Sequence, residues 1–434
     1  MTHILIISRY YPPEIAVSGV CISEMAKRLV TLGNQVTVLT TVPNYPVGIV
    51  PLEYRGHIIQ NEVLDGVHVI RVWSYITPNN GFFRRILAQL SFGCIAPFVG
   101  WKEVGCPDVI LVSSPPLFNV IAGRLLAWLK RRPLIVRIAD IWPESAIQLG
   151  VLRNGILIRL AEWLEWSTYQ RASFVWVVTQ GIQNTLIQRG LSPEHILLLT
   201  NGVDCTKFSP LPKLQARAEL GWDDRFTALY AGGHGISHGL TTLLDAAKLV
   251  LNQDDIHIVL VGDGAAKAEL RAQAQKLGLT NVTFLDAQPH DRMPLLLAAA
   301  DTCLVHMRKL PLFQGTLPIK MYEGMACARP IVLAVDGEAR KLVEQDARAA
   351  IYVEPENSTA LASAILWLRD HPDLAEEMGL RGRALVEARF GYDRLVEVLN
   401  ERIALLLEKK ASITASSVST AVNARGERSE IPLR

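Results

Sequence analysis

The chain has 434 residues, half of them hydrophobic, which points to two domains with sizeable cores. Lys and Arg number 44 against 42 Asp and Glu, a net charge of +2. That balance gives no electrostatic footprint for nucleic acid, so no nucleic-acid partner is expected.

The first strand, "HILIIS", starts almost at once, without the basic segment, apolar core and small-residue cleavage site of a signal peptide, so a cytoplasmic protein is expected. Further strands follow at "QVTVLT", "VHVIRV", "DVILVS", "PLIVRIA" and "FVWVVT". A second series follows at "FTALYA", "IHIVLVG", "NVTFL", "DTCLVH", "PIVLA" and "AAIYV". Nearly continuous apolar runs are buried on both faces, as in parallel sheets covered by helices. The alternation with helices predicts α/β, as two doubly wound domains, residues 1–200 and 201–385, joined near "LLLTNGVDCTKFSPLP". A last helix is predicted over 386–410, and the Ser/Thr/Ala-rich residues 411–434 read as a disordered tail. The six cysteines (Cys21, Cys94, Cys106, Cys205, Cys303, Cys327) have no metal-ligand spacing and read as reduced, buried thiols. Residues 82–101, "FFRRILAQLSFGCIAPFVGW", make a poor membrane span, given Arg84, Arg85, Gln89, Gly93 and Pro97. They fit a helix lying at a membrane interface, or an ordinary buried helix.

Ligands of such sheets bind beyond the carboxyl ends of strands, so polar residues placed there are site candidates. Ser18-Gly19 stands where a helix begins, suited to an anion near its amides or to a plain turn. Asp140 ends a strand and faces the cleft; a helix cap is the alternative for it and, more so, for Glu144, four residues on after Pro143. "LYAGGHGISHGL" brings Gly232, Gly233, Gly235 and His238 between a strand and a helix, where a diphosphate can meet backbone N–H groups. His234 and His238 lack a third ligand for a metal. Turn chemistry accounts for Gly262-Asp263-Gly264, and Gly262, just after a strand, is a binding candidate as well. The loop after "NVTFL", from Asp286 to Pro289, offers backbone to a base edge. Lys320 and Glu323 share one helical face, with Thr316 a candidate cap; a mere surface ion pair there would be worth only ~0.3 kcal/mol. Neither D-x-D nor Y-x-x-x-K occurs, which argues against a paired-aspartate metal site and a short-chain-type dehydrogenase.

"TNGVDCTKFSP" resembles the N-G-V-D-x-x-x-F-x-P signature of retaining family-4 glycosyltransferases, and the glycine loops, "NVTFLDAQPHDRM" and "KMYEGMACARPIV" follow in that family's order. "RYYPPE…SG", "SSPPLFNVIAG" and "ADIWPES" look like its surface-polysaccharide branch, akin to fucosamine and colanic-acid glycosyltransferases. The resemblance implies a GT-B fold of two facing Rossmann-like domains, acceptor on the first, nucleotide-sugar donor on the second, with the last helix crossing back. It implies no metal and no cofactor. It sets Gly19 by the donor phosphate and acceptor, Asp140 by the transferring sugar, Gly233 and His238 in the phosphate loop, Leu285 at the base and Glu323 at the ribose. Ser18 and Glu144 fall on the acceptor side. The sequence departs from the family at Gly315, where the first Glu of Glu-x7-Glu is usual, and at His238, where a lysine is common. Lys320 is therefore expected to supply the missing cation. The implied reaction moves a hexosyl or N-acetylhexosaminyl group from a UDP-sugar to a polyprenyl-diphosphate-linked saccharide at the inner membrane surface, with retention. Asp140, Lys320 and Glu323 would be its catalytic residues. The alternatives are a GT-B-type nucleotide-sugar epimerase and a catalytically lapsed donor-binding subunit.

Overall fold

Alternate residues of the first strand face opposite layers. Ile4 and Ile6 pack with one set of helices, Leu5 and Ile7 with another, and all four are buried. A strand covered on both faces belongs in a sheet flanked by helices, and a computed structural model of the protein has two such sheets. The structure describes residues 1–14, 16–45, 48–77, 82–148 and 152–426.

The first sheet comprises β1 (His3–Ile7), β2 (Gln35–Thr41), β3 (Ile59–Leu64), β4 (Val67–Val72), β5 (Val109–Ser114), β6 (Leu134–Ile138), β7 (Phe174–Val177) and β8 (Ile196–Leu198). Its order is β3-β4-β2-β1-β5-β6-β7-β8, parallel except where β3 pairs with β4. The second comprises β9 (Phe226–Ala231), β10 (Ile256–Val261), β11 (Val282–Leu285), β12 (Thr302–His306), β13 (Ile331–Ala334) and β14 (Ala350–Tyr352). It is parallel throughout, in the order β11-β10-β9-β12-β13-β14. The order reverses between β1 and β5 in one sheet and between β9 and β12 in the other. Such reversals open the crevices where α/β proteins take ligands. The expected α/β class with two Rossmann-like sheets is therefore the observed one, and every expected strand forms.

The helix Tyr392–Gly426 brings Tyr392, Leu395, Val396, Leu399 and Ile403 into the core layer of the first sheet, beside Ile22 and Met25 of the helix Val17–Thr31. The chain thus passes twice between the halves, and the two passages run side by side. The Val203 N–H donates to the Phe390 carbonyl (2.9 Å) and the Tyr392 N–H to the Val203 carbonyl (3.2 Å). Arg28 clamps both passages, 2.8 Å from Asp204 and 2.7 Å from Asp393.

Several expectations are corrected. Residues 411–426, read as disordered, continue the last helix; the stretch 411–425 has no Gly or Pro to stop a helix already propagating, and 427–434 lie outside the described residues. That helix begins at Tyr392 rather than 386, because the helix Pro372–Arg389 ends just before it. Cys21, Cys303 and Cys327 are buried, but Cys94 and Cys106 are exposed. Among the described residues no helix is long and apolar enough to cross a membrane. The helix Phe82–Val99 turns Ala88, Phe92 and Ala96 inward and leaves Phe83, Leu87, Cys94 and Phe98 exposed, so it is not an ordinary buried helix.

Candidate functional site

Two glycine loops leave the carboxyl ends of β9 and β10 and pack backbone on backbone. The φ of Gly232 is +153°, of Gly262 +146° and of Gly264 +157°. A Cβ at Gly262 would lie 1.9 Å from the Gly232 carbonyl oxygen, and one at Gly264 would lie 2.6 Å from the His234 carbonyl. The His234 N–H donates to the Asp263 carbonyl (2.8 Å) and the Ala266 N–H to the His234 carbonyl (2.9 Å). Gly262 therefore serves the site by holding the β9 loop in shape.

Lys320 enters that loop from below. A Cβ at Gly232 would come within 2.6 Å of its Nζ, and the φ of +153° there favours glycine. The ammonium lies 3.9 Å from the centroid of the Tyr230 ring and has no hydrogen-bond partner. Burial pushes the Lys320 pKa down to about 7, opposed by Glu323 one turn later. Tyr230, which sequence reasoning passed over, also donates its hydroxyl to the Gly233 carbonyl (2.9 Å) and so fixes the loop. His238 adjoins it; burial first, then Lys320, pushes its pKa down to about 3. His234 is held at about 4, by burial and then by Lys267 and Lys320. Both imidazoles are neutral near pH 7, which leaves Lys320 as the cation inside the loop.

Glu323 follows on the helix Ile319–Ala326, whose N-cap is Pro318; Thr316 does not cap it. Its carboxylate lies 3.0 Å from His290 Nε2, and His290 Nδ1 lies 3.1 Å from the Lys207 ammonium. A carboxylate only accepts and an ammonium only donates. The imidazole must therefore carry its proton on Nε2, donate to Glu323 and accept from Lys207. Lys207 lies in the "NGVDCTKF" segment and also pairs with Asp291. Sequence reasoning missed His290 and Lys207, which stand 83 residues apart. It missed Lys267 too, whose ammonium joins the Gly262 carbonyl (2.7 Å) to Asp286 (2.6 Å). Leu285 is half-buried at the end of β11, and its carbonyl accepts the Gly262 N–H (3.2 Å).

Across the cleft the helix Val17–Thr31 faces this group. Burial raises the Cys21 thiol pKa and Glu323 adds to it, with Arg137 opposing. Ser18 and Gly19 lie in the first turn of that helix. A Cβ at Gly19 would come 3.1 Å from the Tyr10 carbonyl, so the glycine accommodates the Tyr10–Tyr11 backbone. Asp140, just beyond β6, accepts from the Ser145 hydroxyl (2.7 Å), and burial raises its pKa. Glu144 begins the short helix Glu144–Gln148 and pairs with Arg189. Its place at a helix start is the one the helix-start reading expects.

Gly315 meets the first half directly. A Cβ at Gly181 would be 2.8 Å from the Gly315 Cα. Beside it the Glu338 carboxylate accepts the N–H groups of Gln180 (2.9 Å) and Gly181 (3.0 Å) at the start of the helix Gln180–Gln188. A Cβ at Gly315 would itself lie 3.2 Å from the Gly181 Cα, so a glutamate there would press on the first half.

Two facing Rossmann-like sheets, a glycine loop over a buried lysine and a returning C-terminal helix define the GT-B architecture. Residues 213–385 match the family described as glycosyl transferases group 1, and residues 18–202 match the glycosyl transferase 4-like domain. The chain is 30% identical over 417 residues to D-inositol 3-phosphate glycosyltransferase 1 of Catenulispora acidiphila, covering 88% of each. It is 28% identical over 397 residues to WcaI of Escherichia coli K12, a protein named for colanic acid biosynthesis glycosyl transfer, covering 87% of this chain and 95% of that one. The solved structure of Anabaena Alr3699/HepE in complex with UDP-glucose superposes with a TM-score of 0.69 at 21% identity, over 93% of this chain and all of that one. The chain belongs to the group 1 glycosyltransferases with a glycosyl transferase 4-like domain.

Proposed function

We propose that this glycosyltransferase moves a hexosyl or N-acetylhexosaminyl group from a UDP-sugar to a polyprenyl-diphosphate-linked saccharide during surface polysaccharide assembly, with retention of configuration. The observation that carries the donor half is Lys320: a buried ammonium without a partner, inside a glycine loop at a strand-order reversal. Such a group awaits an anion, and the diphosphate of a nucleotide sugar meets it. Glu323, one turn on and held by His290, accepts from the two ribose hydroxyls. Gly233 and His238 line the diphosphate path, and Leu285 with the loop after it flanks the base. The names of relatives such as WcaI support the polysaccharide setting, and the UDP-glucose complex of HepE supports the donor class.

In the retaining route the bond from the anomeric carbon to the diphosphate oxygen breaks as Lys320 and the loop amides neutralise the leaving group. The acceptor hydroxyl attacks from the same face and gives its proton to the departing phosphate oxygen. Asp140, with Ser18 and Gly19 nearby on the acceptor side, orients hydroxyls. The exposed apolar face of the helix Phe82–Val99 rests on the cytoplasmic face of the membrane, where the acceptor lies.

The test is a screen of UDP-, GDP- and dTDP-sugars for binding, then mass spectrometry of a membrane-extract reaction and NMR of the product anomer. An inverted linkage would overturn retention and make Asp140 a general base. Consumption of UDP-sugar without acceptor would mark an epimerase, and UDP binding without any turnover a lapsed subunit. Neither alternative is favoured, because the relatives the chain resembles over most of its length are named as glycosyltransferases.

A further inference from the structure

A small, largely enclosed pocket lies beyond the carboxyl ends of β1 and β2, lined by Arg9, Tyr10, Asn44, Tyr45, Arg85 and Gln89. Arg9 is only 3% exposed. Its Nη1 donates to the Ala88 carbonyl (2.7 Å), while its Nε has no partner. Tyr10 and Tyr45 meet edge to face, centroids 5.6 Å apart. The nearby acid, Glu14, is turned away: one carboxylate oxygen accepts the N–H groups of Asn44 and Tyr45, both at 2.8 Å. Glu14 does not line the pocket; its charge still interacts with Arg9, and its other oxygen is buried without a hydrogen-bond partner. The buried guanidinium, whose charge acts on Glu14, keeps an unmet N–H beside a second arginine, and the pocket itself is lined by no carboxylate, so an anion there gains a donor that nothing else uses. Planar guanidinium forks match phosphate oxygens.

The pocket's position narrows the ligand. Burial raises the Tyr45 pKa, and the charges acting on it include Arg85 and, from the donor half, Asp263. The pocket therefore borders the cleft opposite the Gly262–Gly264 loop. Arg85, Ala88 and Gln89 lie on the inner face of the helix Phe82–Val99, whose opposite face carries the exposed Phe83, Leu87 and Phe98. One helix thus offers an apolar stripe on one side and, on the other, an exposed arginine at the pocket's edge. We propose that Arg9 and Arg85 bind the phosphate or diphosphate group of the acceptor's lipid carrier, and so set the distance from the membrane to the transferring sugar. This rests on the acceptor reading given above.

The experiment fills the donor site of the full-length protein with UDP, then titrates farnesyl diphosphate and, separately, inorganic pyrophosphate. Wild-type protein is expected to bind farnesyl diphosphate, and Arg85→Glu to weaken it by about tenfold or more, with melting temperature and UDP binding unchanged. Arg9→Lys, which keeps the buried charge, is expected to weaken it less. Comparable, Arg85-dependent binding of pyrophosphate assigns the site to phosphate chemistry alone; Arg85-dependent binding of the prenyl form only assigns it to the lipid headgroup. Either supports the site. Equal affinity of wild type and Arg85→Glu, or no binding to either protein while UDP binds normally, overturns it. A wild-type protein that does not bind UDP would instead overturn the donor reading.

Discussion

The Lys320 ammonium lies 3.9 Å from the centre of the Tyr230 ring, buried and without a hydrogen-bond partner. Burial holds its pKa near about 7 in the folded protein, against 10.5 for an ordinary lysine. Between those values the unfolded chain carries a proton that the folded one lacks, so this lysine's contribution to stability rises with pH. Below about 7 both states are charged and the full cost of burial is felt. Lys320→Met is therefore expected to raise the melting temperature of the ligand-free protein at pH 6 to 7, with the gain shrinking towards pH 10. The same variant should weaken UDP binding by about tenfold or more, since it removes the cation that meets the diphosphate. In wild type, UDP affinity should fall as pH rises above about 7, because binding then requires proton uptake. Calorimetry across pH checks both; a flat UDP profile or a destabilised Met variant would refute this account.

His290 is fixed by its neighbours as the tautomer that donates to Glu323, 3.0 Å away. His290→Leu removes a hydrogen bond to a charged group, worth about 1.5–3 kcal/mol when buried and less at this half-exposed site. The expected result is a donor KM raised by roughly tenfold, with kcat changed much less. His290→Asn, which keeps a donor, should recover part of the loss. If Glu323 holds the ribose, 2′-deoxy-UDP should lose less affinity than UDP on His290→Leu. Equal losses for the two nucleotides would separate His290 from the ribose.

How far the sequence reveals this arrangement depends on the reach of each signal. The buried strands were legible because continuous apolar runs are a local pattern. Strand β3, "IQNEVL", alternates exposed and half-buried residues at the sheet edge and leaves no such run; β8 is three residues long. Lys320 and Glu323 were legible because i,i+3 spacing on a helix is local too. His290, Lys207 and Tyr230 were not, since their roles arise only when distant segments meet. Composition misled at 411–426, where Ser and Thr suggested disorder although nothing there breaks a helix.

Glu338 joins the halves by accepting the Gln180 and Gly181 N–H groups at a helix start. Glu338→Ala removes both bonds and the favourable interaction with the helix dipole. It is expected to enlarge the radius of gyration in solution scattering and to lower kcat by about tenfold, with UDP binding in the second half nearly unchanged. Gly315→Glu adds the carboxylate that the resemblance leads one to expect but presses its Cβ to 3.2 Å from the Gly181 Cα. It should open the molecule and lower activity; a gain in activity would show that the gap at 315 is a missing catalytic group rather than a packing requirement.

The helix Phe82–Val99 leaves Phe83 78%, Leu87 53% and Phe98 70% exposed along one face. The helix Gly155–Arg171 adds Ile156 at 72%, Leu160 at 57% and Trp163 at 63% exposure, at spacings of four and three. Both helices cover the same face of the first sheet, with Asn119–Lys130 and its exposed Trp128 between them. A monomer rarely leaves so much apolar surface in water, and Arg84, Arg124 and Lys130 beside it suit anionic headgroups. Phe83→Ser, Leu87→Ser and Phe98→Ser together should reduce partitioning onto anionic vesicles by about a hundredfold or more, at roughly 1.5–3 kcal/mol for each apolar side chain fully withdrawn from water. UDP binding should be unaffected, because these side chains point away from the cleft. Raising salt should weaken the wild type's binding only in part, since the apolar contribution is not screened. Wild-type protein that stays in the supernatant with anionic vesicles would refute membrane docking through this face.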